Sequence, residues 1–163
     1  MSTEELQVQR DAWCDMARVY DAHVYGLTSP DWHGAFINFP FTPGEASHTW
    51  TGYWERYEPA SGVPPVLFIG TAARSDVEWL RTSMRADHAR TGGPLPDRVR
   101  FAGRQISAVV PLYRTETSLC VAEVFDGDVY VLITTAQPAL LPHTITVAAL
   151  DDREPLILGW ANQ

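Results

Sequence analysis

Two Asp-x-His pairs stand close together in the first fifth of this chain, Asp21-Ala22-His23 and Asp31-Trp32-His33. A carboxylate beside an imidazole orients its tautomer and raises its basicity, which suits a general base or a metal ligand. His48 follows, and three histidines with an aspartate could hold zinc or iron. The spacing argues against that, because residues i and i+2 face one way only in an extended segment. Five histidines in 163 residues is also ordinary usage. No metal and no cofactor is therefore expected, and Asp21, His23, Asp31 and His33 are the candidate acid–base residues. His88 reads as a favourable end charge on a helix, and His143 follows Pro142 in a loop.

A second constellation is aromatic: Trp50, Tyr53, Trp54 and Tyr57, with Glu55 and Arg56 among them. If this piece is helical, Trp50, Trp54 and Tyr57 share a face. If it is extended, Trp50 and Trp54 share one. Trp, Tyr and Arg dominate the anchors of protein interfaces, so Trp50, Trp54 and Tyr57 are candidate partner-binding residues.

The third is made of arginine alone. All twelve basic residues are arginines. Without lysine there is no Schiff base, no P-loop or kinase lysine and no Ser-Lys dyad. What remains is a planar, always charged fork suited to carboxylates, phosphates and interfaces. Residues 74–114 carry eight arginines against four acids, in a chain whose net charge is −8. Arg74, Arg81, Arg98 and Arg100 are the candidates there for an anionic ligand or acidic partner.

The named motifs are absent: no G-x-S-x-G, H-E-x-x-H, C-x-x-C or G-x-G-x-x-G. Asp126-Gly127-Asp128 lacks the downstream glutamate of a calcium loop. A pI of about 4.9 disfavours nucleic acid and anionic membranes. The first residues hold no basic and apolar leader, and the longest apolar run, Val129–Ile133, is too short to span a bilayer. A cytoplasmic protein with reduced Cys14 and Cys120 is expected.

Local sequence patterns predict the elements that must position these residues. Ser2 and Glu5 form a capping box, and Leu6, Trp13, Met16, Ala17 and Tyr20 recur at helical spacing, predicting a helix from about Glu4 to Tyr20. Residues 21–65 are aromatic and proline-rich, with Thr49–Tyr57 either a strand or a helical turn. Val66–Ile69 reads as a buried strand ended by Gly70. Ser75 then caps a second helix running to about Arg90, with Val77, Leu80 and Met84 inward. A strand follows around Ile106–Leu112, at an edge or ending at Pro111.

Asp126-Gly127 between two alternating runs predicts a hairpin over residues 118–135. A turn centred on that dipeptide pairs Val124 with Val129, Ala122 with Val131 and Cys120 with Ile133, with Glu123 opposite Tyr130 and Val121 opposite Leu132. Cys120 is then a buried small hydrophobe. Ile145–Leu150 and Leu156–Trp160 look like two further strands. The expected fold is one α+β domain over residues 1–163: a twisted, mostly antiparallel sheet of 4–6 strands with two main helices on one face.

Three functions fit this reading. The favoured one is a non-enzymatic binding or regulatory protein, immunity- or antitoxin-like, that docks a protein partner through acidic and aromatic surface. The second is a small enzyme or ligand-binding domain for an anionic small molecule, using His/Asp and Arg. The third is an assembly subunit, and homo-oligomerisation stays open with it.

Overall fold

The computed structural model describes residues 24–27, 32–38, 52–59, 66–136 and 144–150, together with Glu4. Nine strands lie among the described residues: β1 Val24–Leu27, β2 Trp32–Asn38, β3 Gly52–Pro59, β4 Leu67–Ala73, β5 Leu95–Ala102, β6 Ser107–Arg114, β7 Cys120–Asp126, β8 Val129–Thr135 and β9 Ile145–Leu150. They form one sheet in the order β1-β9-β5-β6-β7-β8-β4-β3-β2. Every pairing is antiparallel except β5 with β9.

The sheet curls into a nearly closed barrel. A single buried cluster draws side chains from all nine strands, including Tyr25, Trp32, Tyr57, Leu67, Phe101 and Leu112. β1 also comes close to β4, far from it in sheet order, as the curling of the sheet requires. A second cluster covers part of the outside. There α1, Val77–Ser83, entered through a 3-10 turn at Arg74–Asp76, sets Leu80 and the following Met84 against Ala72, Val121, Tyr130 and Leu132. Fully burying a side chain such as Leu80 contributes roughly 2 kcal/mol. Being covered on both faces, β8 is buried at every residue, which is why Val129–Ile133 reads as a continuous apolar run.

The expected α+β architecture is thus corrected to a mostly β one, with nine strands instead of 4–6 and one short helix among the described residues. Part of the reason is residues 21–65, where aromatic-rich segments form β1, β2 and β3. Aromatic side chains fit a pleated, half-buried surface well. The helix predicted over residues 4–20 lies outside the described residues apart from Glu4, as does the strand expected at 156–160. β4 does not end at Gly70 but continues to Ala73. Gly70 is needed on the outer face instead, because a Cβ there would come within 2.9 Å of Leu80 Cδ1 and would also strike Met84.

The second predicted helix is also shorter than expected. Ser75 Oγ bonds to Asp76, not to a helical N–H, and regular helix stops at Ser83. The chain then turns so that Thr91 N donates to Arg114 O (2.8 Å) and Glu116 N to Ala89 O (3.0 Å). The inward set of Leu80 and Met84 is as expected.

The hairpin forms, two residues out of the expected register. Val124 pairs with Val131, Ala122 with Ile133 and Cys120 with Thr135; Glu123 faces Leu132, and Val121 faces Thr134. A slip of two preserves which face each side chain takes. Cys120, Ala122, Val129 and Val131 are still buried in the interior, with Val124 packed against them. Burial pushes the Cys120 thiol pKa up, as befits a small hydrophobe. The turn residues are Gly127, at φ 64°, and Asp128, which is not in the left-handed region. Glycine in the first central position is the requirement of a type II′ turn.

Asp126 explains the slip. As the closing residue its side chain points inward, where Oδ2 accepts the Tyr25 hydroxyl (2.7 Å) and Arg104 N–H (2.6 Å). Oδ1 accepts the N–H groups of Gln105 (2.7 Å) and Ile106 (3.2 Å). Burial alone would raise its pKa, but the four donors outweigh burial and hold it below the ordinary value. One carboxylate therefore ties β1, the β5–β6 turn and the β7–β8 hairpin together at one end of the barrel. β6 meets β7 only at Tyr113 and Arg114. Pro111, which has no N–H to donate, comes just before that short ladder, so the edge-like character expected there is seen inside the sheet.

Candidate functional site

The feature best formed for recognition lies where α1 ends on the outer sheet face. The helix closes with Ala86 N donating to Arg81 O (2.7 Å) and Arg85 N to Thr82 O (3.1 Å). This is a Schellman arrangement, in which the residue after the cap is usually glycine. Here that residue is Arg85, at φ 56°. For an L-residue this left-handed conformation costs about 1 kcal/mol.

Beside this helix end is a cleft of about 370 Å³, lined by Trp54, Phe68, Ser83, Met84, Arg85, Leu119 and Thr134. Its lining is mostly apolar. Trp54 is fixed at both ends: its Nε1–H donates to Ser83 Oγ (2.9 Å), and its ring meets Phe68 edge-on at 5.7 Å. Thr134, 1% exposed, contributes a hydroxyl-bearing side chain to the lining. Arg85 is exposed and makes no ion pair with any described residue.

The neighbouring arginines differ. Arg81 donates to Glu123 (2.6 Å), Glu78 (2.9 Å) and the Tyr130 hydroxyl (3.3 Å). The hydrogen bond to Glu123 is the main reason its pKa is raised, against the opposing effect of burial. Burial likewise pushes the Tyr130 hydroxyl up. Arg90 approaches Glu123 at 3.5 Å and stacks over Tyr113 at 4.4 Å. His88 lies 3.6 Å from Glu116 and 3.9 Å from Asp87. Glu78, Arg81, Asp87, His88, Arg90 and Glu123 line a hollow of about 320 Å³ with both signs of charge on its wall.

The sequence candidates fall in several places. Asp21, His23, Asp31 and Trp50 lie outside the described residues, as do His48 and His143. His33 is in β2, opposite Glu58 in β3. Trp54 and Tyr57 point to opposite faces of β3, Trp54 to the cleft and Tyr57 to the barrel interior. Arg74 stacks 4.2 Å over Phe125 and donates to Gly127 O (3.0 Å), bracing the hairpin tip. Arg98 and Arg100 lie on β5, separated in the sheet by β6 from β7, where Arg81 finds Glu123.

Of the predicted set, then, the cleft takes Trp54 alone among the described residues. Phe68, Ser83, Met84, Arg85, Leu119 and Thr134 were missed as site residues. They come from β4, the helix end, the β6–β7 connection and β8, and no local pattern announces their meeting. Arg85 offers the one local signal, lying four residues after the candidate Arg81 within the arginine-rich segment 74–114. Among the described residues no cluster of His, Cys, Asp and Glu could hold a metal, and no helix is long and apolar enough to cross a membrane. Comparison with protein-family models, curated proteins and solved structures finds no match to this chain.

Proposed function

We propose that this protein is a non-enzymatic binding protein that docks a protein partner, with the cleft beside α1 receiving an apolar side chain of that partner. The observation that carries the reading is the pre-set indole of Trp54, held by Ser83 and Phe68 at the wall of an apolar cleft. Immobilised aromatic side chains in desolvated pockets are the usual centre of interface energetics, because little side-chain entropy is left to lose on docking. The net charge of −8 supports electrostatic steering of a partner whose surface is cationic away from that anchor.

The test is photo-crosslinking from within the cleft. Leu119 is replaced by a benzophenone amino acid in the full chain, in cells that make the protein. A discrete adduct that disappears when Met84→Arg fills the cleft is the expected result. No adduct from a folded Leu119 variant, or one that persists in the Met84→Arg protein, would count against the reading.

A further inference from the structure

We infer that the segment entering this cleft is acidic: a large apolar side chain with a carboxylate one or two residues away, which pairs with Arg85. The inference rests on the docking reading above and adds the chemistry of the occupant.

Three observations converge on it. First, Arg85 differs from the arginines around it. Arg56, Arg74, Arg81 and Arg90 each have an ion pair, a carbonyl or an aromatic ring to engage. Arg85, at the cleft, has no ion pair among the described residues. Second, it occupies a left-handed position that glycine would fill with less strain. Strain retained at one residue of a site is a pointer to use of its side chain. Third, Arg85 stands at the border of a mostly apolar cleft, and an ion pair at such a boundary is less screened than one in open water. The helix end does not oppose an incoming anion strongly. Its carbonyls at Leu80, Arg81 and Thr82 already accept N–H groups from Met84, Ala86 and Arg85.

The occupant is therefore amphipathic on the scale of two or three residues. Its apolar part meets Trp54, Phe68, Met84 and Leu119, and its carboxylate stays at the rim.

The experiment uses the full chain labelled with ¹⁵N and follows the Trp54 indole N–H, assigned by its loss in Trp54→Phe. Three capped peptides are titrated, Gly-Xaa-Leu-Phe-Gly amides with Glu, Gln or Lys at Xaa. The Glu peptide is expected to bind about fivefold tighter than the Gln peptide, the effect of one partly exposed ion pair, with the Lys peptide weakest. Arg85→Gly should erase the Glu/Gln difference while the protein stays folded. Arg85→Glu should reverse the order of Glu and Lys.

Equal binding of the Glu and Gln peptides to the wild-type protein overturns this inference and leaves the docking reading standing. If none of the three moves the Trp54 signal, the docking reading falls, and this inference with it. N-acetylphenylalanine is the control for a small ligand, and a free carboxylate that binds as tightly as the Glu peptide would overturn the partner segment in favour of a small anionic ligand. Unfolding of Arg85→Gly would make Arg85 a structural residue and also refute the inference.

Discussion

Replacing Asp126 with asparagine should loosen the barrel more than its modest change in shape suggests. Each carboxylate oxygen now accepts two hydrogen bonds, Oδ2 from Tyr25 and Arg104 and Oδ1 from Gln105 and Ile106. Asparagine has one acceptor oxygen. Whichever way its amide turns, two bonds are lost and an NH₂ group faces two donors. A hydrogen bond to a charged group contributes about 1.5–3 kcal/mol, so two would amount to roughly 3–6 kcal/mol. Arg104 and Gln105 lie in an exposed turn that can relax toward water, which favours the lower end, about 3 kcal/mol. For a chain of this size that lowers Tm by roughly 6–12 °C.

Urea unfolding of the two proteins measures the difference directly, provided the slope is unchanged. The pH dependence gives an independent check. The folded pKa of Asp126 is depressed, so its stabilisation is complete above the unfolded value of about 3.9. It is lost as pH falls through the lower folded value. The gap between wild type and Asp126→Asn should therefore be constant from about pH 5 to 7 and close below about pH 4. A loss under about 1 kcal/mol at neutral pH, or a gap that widens on acidification, would refute the assignment of Asp126 as the lock.

Three further outcomes are expected. Gly70→Ala forces a methyl group against Leu80 and Met84; it should cost about 1–3 kcal/mol and shift the Trp54 indole resonance as α1 is displaced. Arg85→Gly relieves the left-handed strain at φ 56° and should raise Tm by about 2–4 °C for roughly 1 kcal/mol gained, seen in a thermal melt. Association with a protein partner, followed by stopped flow, should slow several-fold between low and physiological salt; an association rate indifferent to ionic strength would argue against electrostatic steering.

The alternating residues of 118–135 determined by themselves that a hairpin forms and which of its faces is apolar, because period-two alternation and an Asp-Gly turn are local properties. The first half of β4, the run Ile145–Leu150 and the inward set of Leu80 and Met84 were legible for the same kind of reason. The register was not. Asp126 sits in the closing pair because Tyr25 and the Arg104–Ile106 backbone supply its donors, and those lie about a hundred and about twenty residues away in sequence.

The end of α1 was hidden likewise. Residues 84–90 could continue a helix locally, but pairing of Ala89 and Thr91 with 114–116 requires the chain to turn. The cleft is a product of strand order and of where α1 ends: β3, β4 and β8 are neighbours in the sheet though their residues span 52 to 135, and Ser83, Met84 and Arg85 close one side. Composition and periodicity decide what each segment becomes, since they act within a few residues. Closure of the sheet, the carboxylate that locks it and the company Trp54 keeps depend on which distant segments meet, and only the folded barrel decides that.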